Sequence, residues 1–192
     1  MNALSTADLT QAPRFWNGTA LLRCVDVIDE APNVRTFRFA TADGSWFRYS
    51  AGQFVTLEIP TAAETVYRTY TLSSTPTRPQ VASVTVKAQA NSIGTRWLLD
   101  NLKVGDTLKA VGPAGEFCLP SQREKLLFIS AGSGITPMMS MTRFLFDRAE
   151  PVSIQFVHFG RSPEDLLFHA ELNEMARAWK RLTLLWSVET PG

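Results

Sequence analysis

The sequence is short of several things, and each shortage narrows what the protein can be. Only two of its 192 residues are cysteines, Cys24 and Cys118, and they stand at no metal-ligand spacing. Both thiols are expected to be buried apolar fillers in a reduced, cytoplasmic compartment. The two histidines, His158 and His169, have no third partner at ligand spacing, so no metal site is expected. Charge of one sign is also missing: 19 basic against 18 acidic residues leave a net charge of +1. That excludes a dedicated nucleic-acid binder, which needs a surplus of Lys and Arg to neutralise phosphates. Long apolar runs are absent, since stretches such as Leu126-Leu127-Phe128-Ile129 fall far short of the roughly 20 residues of a membrane span. Met1-Asn2-Ala3-Leu4 has no basic region leading into an apolar stretch, so no secretory leader is expected. What the chain does have is 45% hydrophobic against 19% charged residues, enough for a buried core and without the signature of disorder.

Patterning divides the chain. Residues 1–14 are small, polar and unperiodic and read as a flexible lead-in. From Trp16 to Leu119 short β-type runs follow one another at Ala20–Val27, Val34–Ala40, Phe54–Ile59, Tyr67–Ser73, Ser83–Ala88 and Thr107–Val111. Turn residues such as Pro32-Asn33, Asp43-Gly44 and Gly52 separate them. Six strands with a single helical insertion at about Ile93–Asn101 predict a closed or nearly closed antiparallel barrel over 15–120. Gly112-Pro113-Ala114-Gly115 is expected to be a turn closing that barrel. After the polar break Ser121-Gln122-Arg123-Glu124, apolar runs at Leu126–Ser130, Val152–His158 and Leu182–Val188 alternate with helical spacing at Pro137–Phe146 and Pro163–Trp179. That alternation predicts a parallel α/β unit over 125–192. Glu164, Asp165, Glu171 and Glu174 read as the solvated face of its second helix.

Three segments carry chemistry. In Arg68-Thr69-Tyr70-Thr71-Leu72-Ser73-Ser74, a period of two puts Arg68 and Tyr70 on one face and Thr69, Thr71 and Ser73 on the other. A cationic fork beside a flat ring suits a ligand with both phosphate and an aromatic system; the alternative is an amphipathic strand whose polar residues meet solvent. In Asn91-Ser92-Ile93-Gly94-Thr95 a strand leads through small residues into a helix, whose first turn can offer free N–H groups to an anion or can be merely capped. In Ser130-Ala131-Gly132-Ser133-Gly134-Ile135-Thr136-Pro137 a buried strand enters a glycine turn, with Pro137 where the first helical turn begins. This is a diphosphate-binding geometry, but neither a P-loop nor the usual dinucleotide fingerprint. No acidic residue ends the next strand at His158-Phe159. Arg161 follows instead, and is either a dinucleotide contact or a solvated loop cation.

Arg68-x-Tyr70-Thr71, Gly105-Asp106, Gly112-Pro113-x-Gly115-x-Phe117 and Gly132-x-Gly134-Ile135-Thr136-Pro137, in this order over about 170 residues, resemble the ferredoxin–NADP reductase superfamily. The stretches from Val66 to Ser74 and from His158 to Phe168 resemble reductases of the hybrid-cluster-protein type and reductase components of Rieske oxygenases, including glycine betaine demethylating systems. The resemblance implies a six-stranded antiparallel flavin-binding β-barrel of Greek-key type, followed by an incomplete parallel α/β nicotinamide-dinucleotide domain. By position it implies that Arg68 pairs with flavin phosphate, that Tyr70 packs along the isoalloxazine and ribityl chain, and that Thr71 lies near flavin N5. Thr69, Val86 and Lys87 would line the flavin, while Ile93, Gly94 and Thr95 would meet its diphosphate, favouring FAD over FMN. Gly132, Ser133, Gly134, Thr136 and Pro137 resemble the nicotinamide-dinucleotide turn, and Tyr70, Thr71 and Thr136 are the residues expected at the catalytic junction.

The implied activity is hydride transfer from NADH or NADPH to FAD, followed by release of single electrons to a 2Fe-2S centre, a ferredoxin-like partner or a Rieske oxygenase. No Cys-x4-Cys-x2-Cys pattern is present, so a 2Fe-2S cluster is not expected in this chain. The nicotinamide unit is about 50 residues short of what such proteins carry, and a truncated chain is the expectation. The alternative function is a flavin-binding or interaction module without independent NAD(P)H turnover. The sequence leaves NADH against NADPH open.

Overall fold

The computed structural model describes residues 12–16 and 18–189; most of the expected lead-in, 1–11, and residues 190–192 lie outside the described residues. Six strands make the first sheet: β1 (Gly18–Ala31), β2 (Val34–Thr41), β3 (Phe54–Pro60), β4 (Thr65–Thr71), β5 (Ala82–Lys87) and β6 (Thr107–Ala114). Their order is β4-β3-β6-β1-β2-β5, with every pairing antiparallel. β6 returns between β1 and β3, which interleaves the hairpins as a Greek key does. Leu72, just beyond β4, bridges Val84 of β5, so the two edge strands meet at one end and the sheet curls into a partly closed barrel. Phe37, Phe39, Leu57, Ile59, Val84 and Leu108 fill it. Helix α1 (Ile93–Asn101) plugs one end with Leu98 and Leu99, and Trp97 packs part-buried against the same core.

Two local expectations change. Gly112-Pro113-Ala114 is strand rather than turn: Gly112 pairs with Gly18 and Ala114 with Phe54, extending β6 along both neighbours. β1 runs through 14 residues because β2 pairs with it along nearly its whole length and β6 with its first half.

The second sheet is parallel, in the order β7 (Lys125–Ala131), β8 (Ser153–Gly160) and β9 (Leu182–Val188). A 3-10 turn (Gly132–Ile135) leads into α2 (Thr136–Asp147), and α3 (His169–Ala178) connects β8 to β9. The helix expected over 163–179 is split. Residues 163–165 form a 3-10 turn, and Phe168 adopts a left-handed φ of 56° before α3 begins, so that Leu167 and Phe168 can bury in the core. Both helices cover one face of the sheet, where Met139, Leu145, Leu172 and Met175 pack on Phe128, Ile154 and Phe156. The other face presents Leu127, Ile129, Phe159 and Leu185, each about half exposed, whereas parallel sheets are ordinarily covered on both sides. Among the described residues no helix is long and apolar enough to cross a membrane.

Candidate functional site

The C-terminal ends of β4 and β5, the start of α1 and the glycine turn before α2 converge on one cleft of about 470 Å³. From β4 it takes Arg68, Thr69, Tyr70 and Thr71, and from β5 Val86 and Lys87. Thr95 comes from α1, and Ser133, Gly134, Thr136 and Pro137 come from the second unit. A neighbouring cleft of about 600 Å³ lies over the C-terminal ends of β7, β8 and β9 and shares Lys87 and Ser133 with the first. Gly132 and Arg161 line this second cleft. Thus 13 of the 15 residues singled out from the sequence line one or other of these two adjoining clefts. Ile93 points to solvent and Gly94 lies behind Arg68.

Gly94 shapes the phosphate end of the first cleft. A β-carbon there would stand 3.2 Å from Arg68 Cγ and 3.2 Å from Val66 Cγ2, so its absence lets Arg68 lie across the start of α1. Arg68 Nη1 donates to the Tyr67 carbonyl at 2.8 Å, and the rest of its guanidinium faces open space. α1 begins at Ser92 with no side-chain cap and no acidic residue in its first turn, which leaves its leading N–H groups to a ligand or water. α2 likewise begins without a side-chain cap, with Pro137 in its first turn and Thr136 Oγ1 donating to the Ser133 carbonyl at 3.2 Å. One guanidinium, the uncapped start of α1 and the 3-10 turn Gly132–Ile135, itself without a side-chain cap, therefore give the cleft positive potential.

Tyr70 is the most telling residue. Its hydroxyl is buried and has no hydrogen-bond partner among the described residues. Burial pushes the phenol up to about 12, although the Arg68 charge pulls the other way. It is therefore a neutral donor and acceptor with nothing to bond, and such groups are rare unless a ligand or water completes them. A flavin fits this arrangement: Arg68 and the start of α1 for its phosphates, the Tyr70 ring and hydroxyl along its polyol chain, and the half-buried Thr71 toward its ring system.

Charge in the second cleft is balanced. Asp165 accepts from Lys87 Nζ at 3.0 Å and, through its other oxygen, lies 3.3 Å from Arg161 Nε. The Lys87 hydrogen bond, helped by both cations, holds this carboxyl below the usual Asp range despite its burial. Asp165, expected on a solvated helix face, is 15% exposed and instead ties the barrel to the nucleotide unit. Glu171, expected on the same face, pairs with Arg143. Below the glycine turn, His158 is fully buried, with Nδ1 2.8 Å from Ser130 Oγ and its ring edge-on to Trp186. Burial lowers its pKa.

Sequence reasoning overlooked Thr85 and Gln89 in the first cleft and Asp165, Ser187 and Glu189 in the second, while Ser92, part of the helix-start segment, lines the first. Thr85 had a signal, since strict alternation on β5 sets it opposite the core-facing Val84 and Val86. Asp165 had none, because the 3-10 turn that swings it back over β8 is not readable from spacing.

Fold and site together define a flavin- and pyridine-nucleotide-binding oxidoreductase. Residues 22–118 match the family described as oxidoreductase FAD-binding domain, and residues 128–191 the oxidoreductase NAD-binding domain. The chain belongs to this ferredoxin-reductase-like oxidoreductase family. It is 46% identical over 178 residues to the stachydrine N-demethylase reductase subunit of Rhizobium meliloti, covering 92% of this chain and 50% of that one. It is 46% identical over 161 residues to the glycine betaine monooxygenase reductase subunit of Pseudomonas aeruginosa, covering 83% and 44%. The chain thus spans about half the length of these curated relatives. In fold it is similar to phthalate dioxygenase reductase, with a TM-score of 0.79 and 24% identity, covering 91% of this chain and 53% of that one. It is also similar to the FAD/NAD-binding domain of a Vibrio cholerae nitric oxide dioxygenase, with a TM-score of 0.82 and 21% identity, covering 91% and 81%.

Proposed function

We propose that this chain is the flavin- and nucleotide-binding part of a cytoplasmic NAD(P)H-dependent reductase serving an oxygenase, with an iron–sulfur centre or ferredoxin-like protein as electron acceptor. The observation that carries this reading is the convergence of Arg68, the Tyr70 hydroxyl, which has no partner among the described residues, the uncapped start of α1 and the glycine turn before α2 on one cleft. Bound FAD would supply the chemistry, accepting a hydride and releasing electrons one at a time. The side chains bind and orient. Arg68 and Thr95 anchor phosphates at the barrel, Tyr70 and Thr71 set the depth and polarity of the ring site, and Ser133, Gly134, Thr136 and Pro137 bring the nucleotide to it. None of these groups needs to act as a nucleophile or strong base.

The pairing of Lys87 and Arg161 with one carboxylate favours NADH over NADPH. Both cations that line the nucleotide cleft are already engaged by Asp165, and Glu189 adds a further negative charge. A ribose 2′-phosphate would find Lys87 already paired and, of Arg161, only the Nη groups, since its Nε is held by Asp165. The alternative is a module that binds flavin without turning over nucleotide. Reconstitution with FAD followed by anaerobic addition of NADH separates the two. Rapid loss of flavin colour supports the reductase, persistent colour supports the module, and failure to retain flavin sinks both.

A further inference from the structure

One face of α2, from Ser140 to its end at Asp147, is fastened to the loop that continues the flavin strand. Ser140, Arg143 and Asp147 are spaced by three and four residues and so share that face with Thr136 at the helix start. Ser140 Oγ donates to the Ser74 carbonyl at 2.6 Å, and Arg143 Nη1 donates to the Ser73 carbonyl at 2.6 Å. Asp147 accepts from Thr77 Oγ1 and, at 2.7 Å, from Arg78 Nη2. From Ser140 to Asp147 the clamp covers about 10 Å of helix, at about 1.5 Å per residue.

Both sides of the clamp are rigid. In the barrel, Ser73 N–H donates to the Ser83 carbonyl at 2.8 Å, and its hydroxyl lies 3.0 Å from Thr85 Oγ1. Ser74 Oγ accepts from Ser83 N–H at 2.9 Å and meets the Tyr49 hydroxyl at 2.8 Å. On the helix side, Arg143 is braced by both carboxylate oxygens of Glu171, at 2.8 and 2.6 Å, and its guanidinium lies over the Phe168 ring at 5.0 Å. Arg143 thus spends one N–H group across the domain boundary while three further contacts, two to Glu171 and one to the Phe168 ring, hold its plane fixed. Ser73 and Ser74 follow Tyr70 and Thr71 in the chain by only a few residues, and Thr136 opens the clamped helix.

Resting on the function proposed above, we propose that Ser140, Arg143 and Asp147 are positioning residues that set how closely the nucleotide turn approaches the flavin strand. None of the three lines either cleft, so they act through α2 and not through ligand contact. Alignment is steep in its effect on rate, since a misplacement of about 1 Å can cost a factor of about 100. Loosening the clamp therefore lowers the rate of hydride transfer more than it lowers affinity for either ligand.

The test compares Arg143→Met, Arg143→Lys and Asp147→Asn in the full chain reconstituted with FAD. For Arg143→Met the expected result is unchanged flavin content, ADP-ribose affinity within about twofold, and flavin reduction at saturating NADH slowed by about 10- to 100-fold. Arg143→Lys keeps one donor for the Ser73 carbonyl and recovers part of the rate. Asp147→Asn, at the far end, gives a smaller loss of the same kind. In the chain without flavin, amide hydrogen exchange at residues 132–136 becomes faster in Arg143→Met. Wild-type reduction rates in these variants overturn the proposal. So does joint loss of flavin, ADP-ribose affinity and rate, which marks a merely structural role. If the wild-type chain is not reduced by NADH, the proposed function fails, and hydrogen exchange alone then decides for or against the clamp.

Discussion

Replacing Arg68 with Ala removes a cation whose side chain is exposed and whose one protein hydrogen bond goes to its own neighbour's carbonyl. The fold loses little by this. A surface substitution of that kind stays within about 0.5 kcal/mol, so thermal stability is expected to hold. Flavin binding loses more, because a charged hydrogen bond to phosphate contributes about 1.5–3 kcal/mol. At 1.4 kcal/mol per factor of ten, the FAD dissociation constant should rise about 10- to 150-fold. Titrating the flavin-free chain with FAD and following flavin fluorescence measures this directly. Riboflavin, which has no phosphate, supplies the control: its affinity should be the same in wild type and variant. Arg68→Lys should fall between, since an ammonium keeps the charge and loses the planar fork. An unchanged FAD dissociation constant, or an equal loss for riboflavin, would falsify the assignment of Arg68 to the phosphate.

Gly52 has φ +104°, and a β-carbon there would stand 2.0 Å from the Phe117 carbonyl oxygen and 2.6 Å from Met141 Cε. Gly52→Ala should therefore cost about 2–4 kcal/mol through strain and overpacking, lowering the melting temperature by about 5–15 °C; an unshifted melt refutes the close contact. Asp165→Asn should free Lys87 and Arg161 for a 2′-phosphate and shift the kcat/KM ratio toward NADPH by about tenfold or more. An unaltered ratio would remove Asp165 from the selectivity argument. His158 has a native pKa depressed by burial, so its neutral form is the one the fold accommodates. Its contribution to stability is complete above the unfolded value near 6.5 and is lost as pH falls through the depressed native value. Urea midpoints measured from pH 7 down to 5 should decline in wild type and decline less in His158→Asn; parallel slopes would show that another group titrates.

The two-unit organisation was legible because each unit imposes its own period on the sequence. Alternation of apolar and polar residues marked the barrel strands, and continuous apolar runs separated by helical spacing marked the parallel sheet. The Ile93–Asn101 helix was readable to the residue, and Pro137 correctly marked the start of the helix after the glycine turn. Most cleft residues were legible for a related reason: they lie on short contiguous segments at strand ends and helix starts, where sequence neighbours are also spatial neighbours. Gly112–Ala114 has the residues of a turn yet forms strand, because pairing partners on both sides outweigh that local preference.

By itself the sequence determined the periodic elements, the absence of a strong charge bias and the local segments able to meet phosphate and ring. Those properties depend on residue type and short-range spacing. Only the tertiary structure decided which distant groups meet: Lys87 with Asp165, Arg143 with the Ser73 carbonyl, and the Tyr70 hydroxyl with no partner among the described residues. These pairings span up to 78 residues of chain and cross between the two units. Their geometry is fixed by sheet closure and helix packing, which no local pattern encodes.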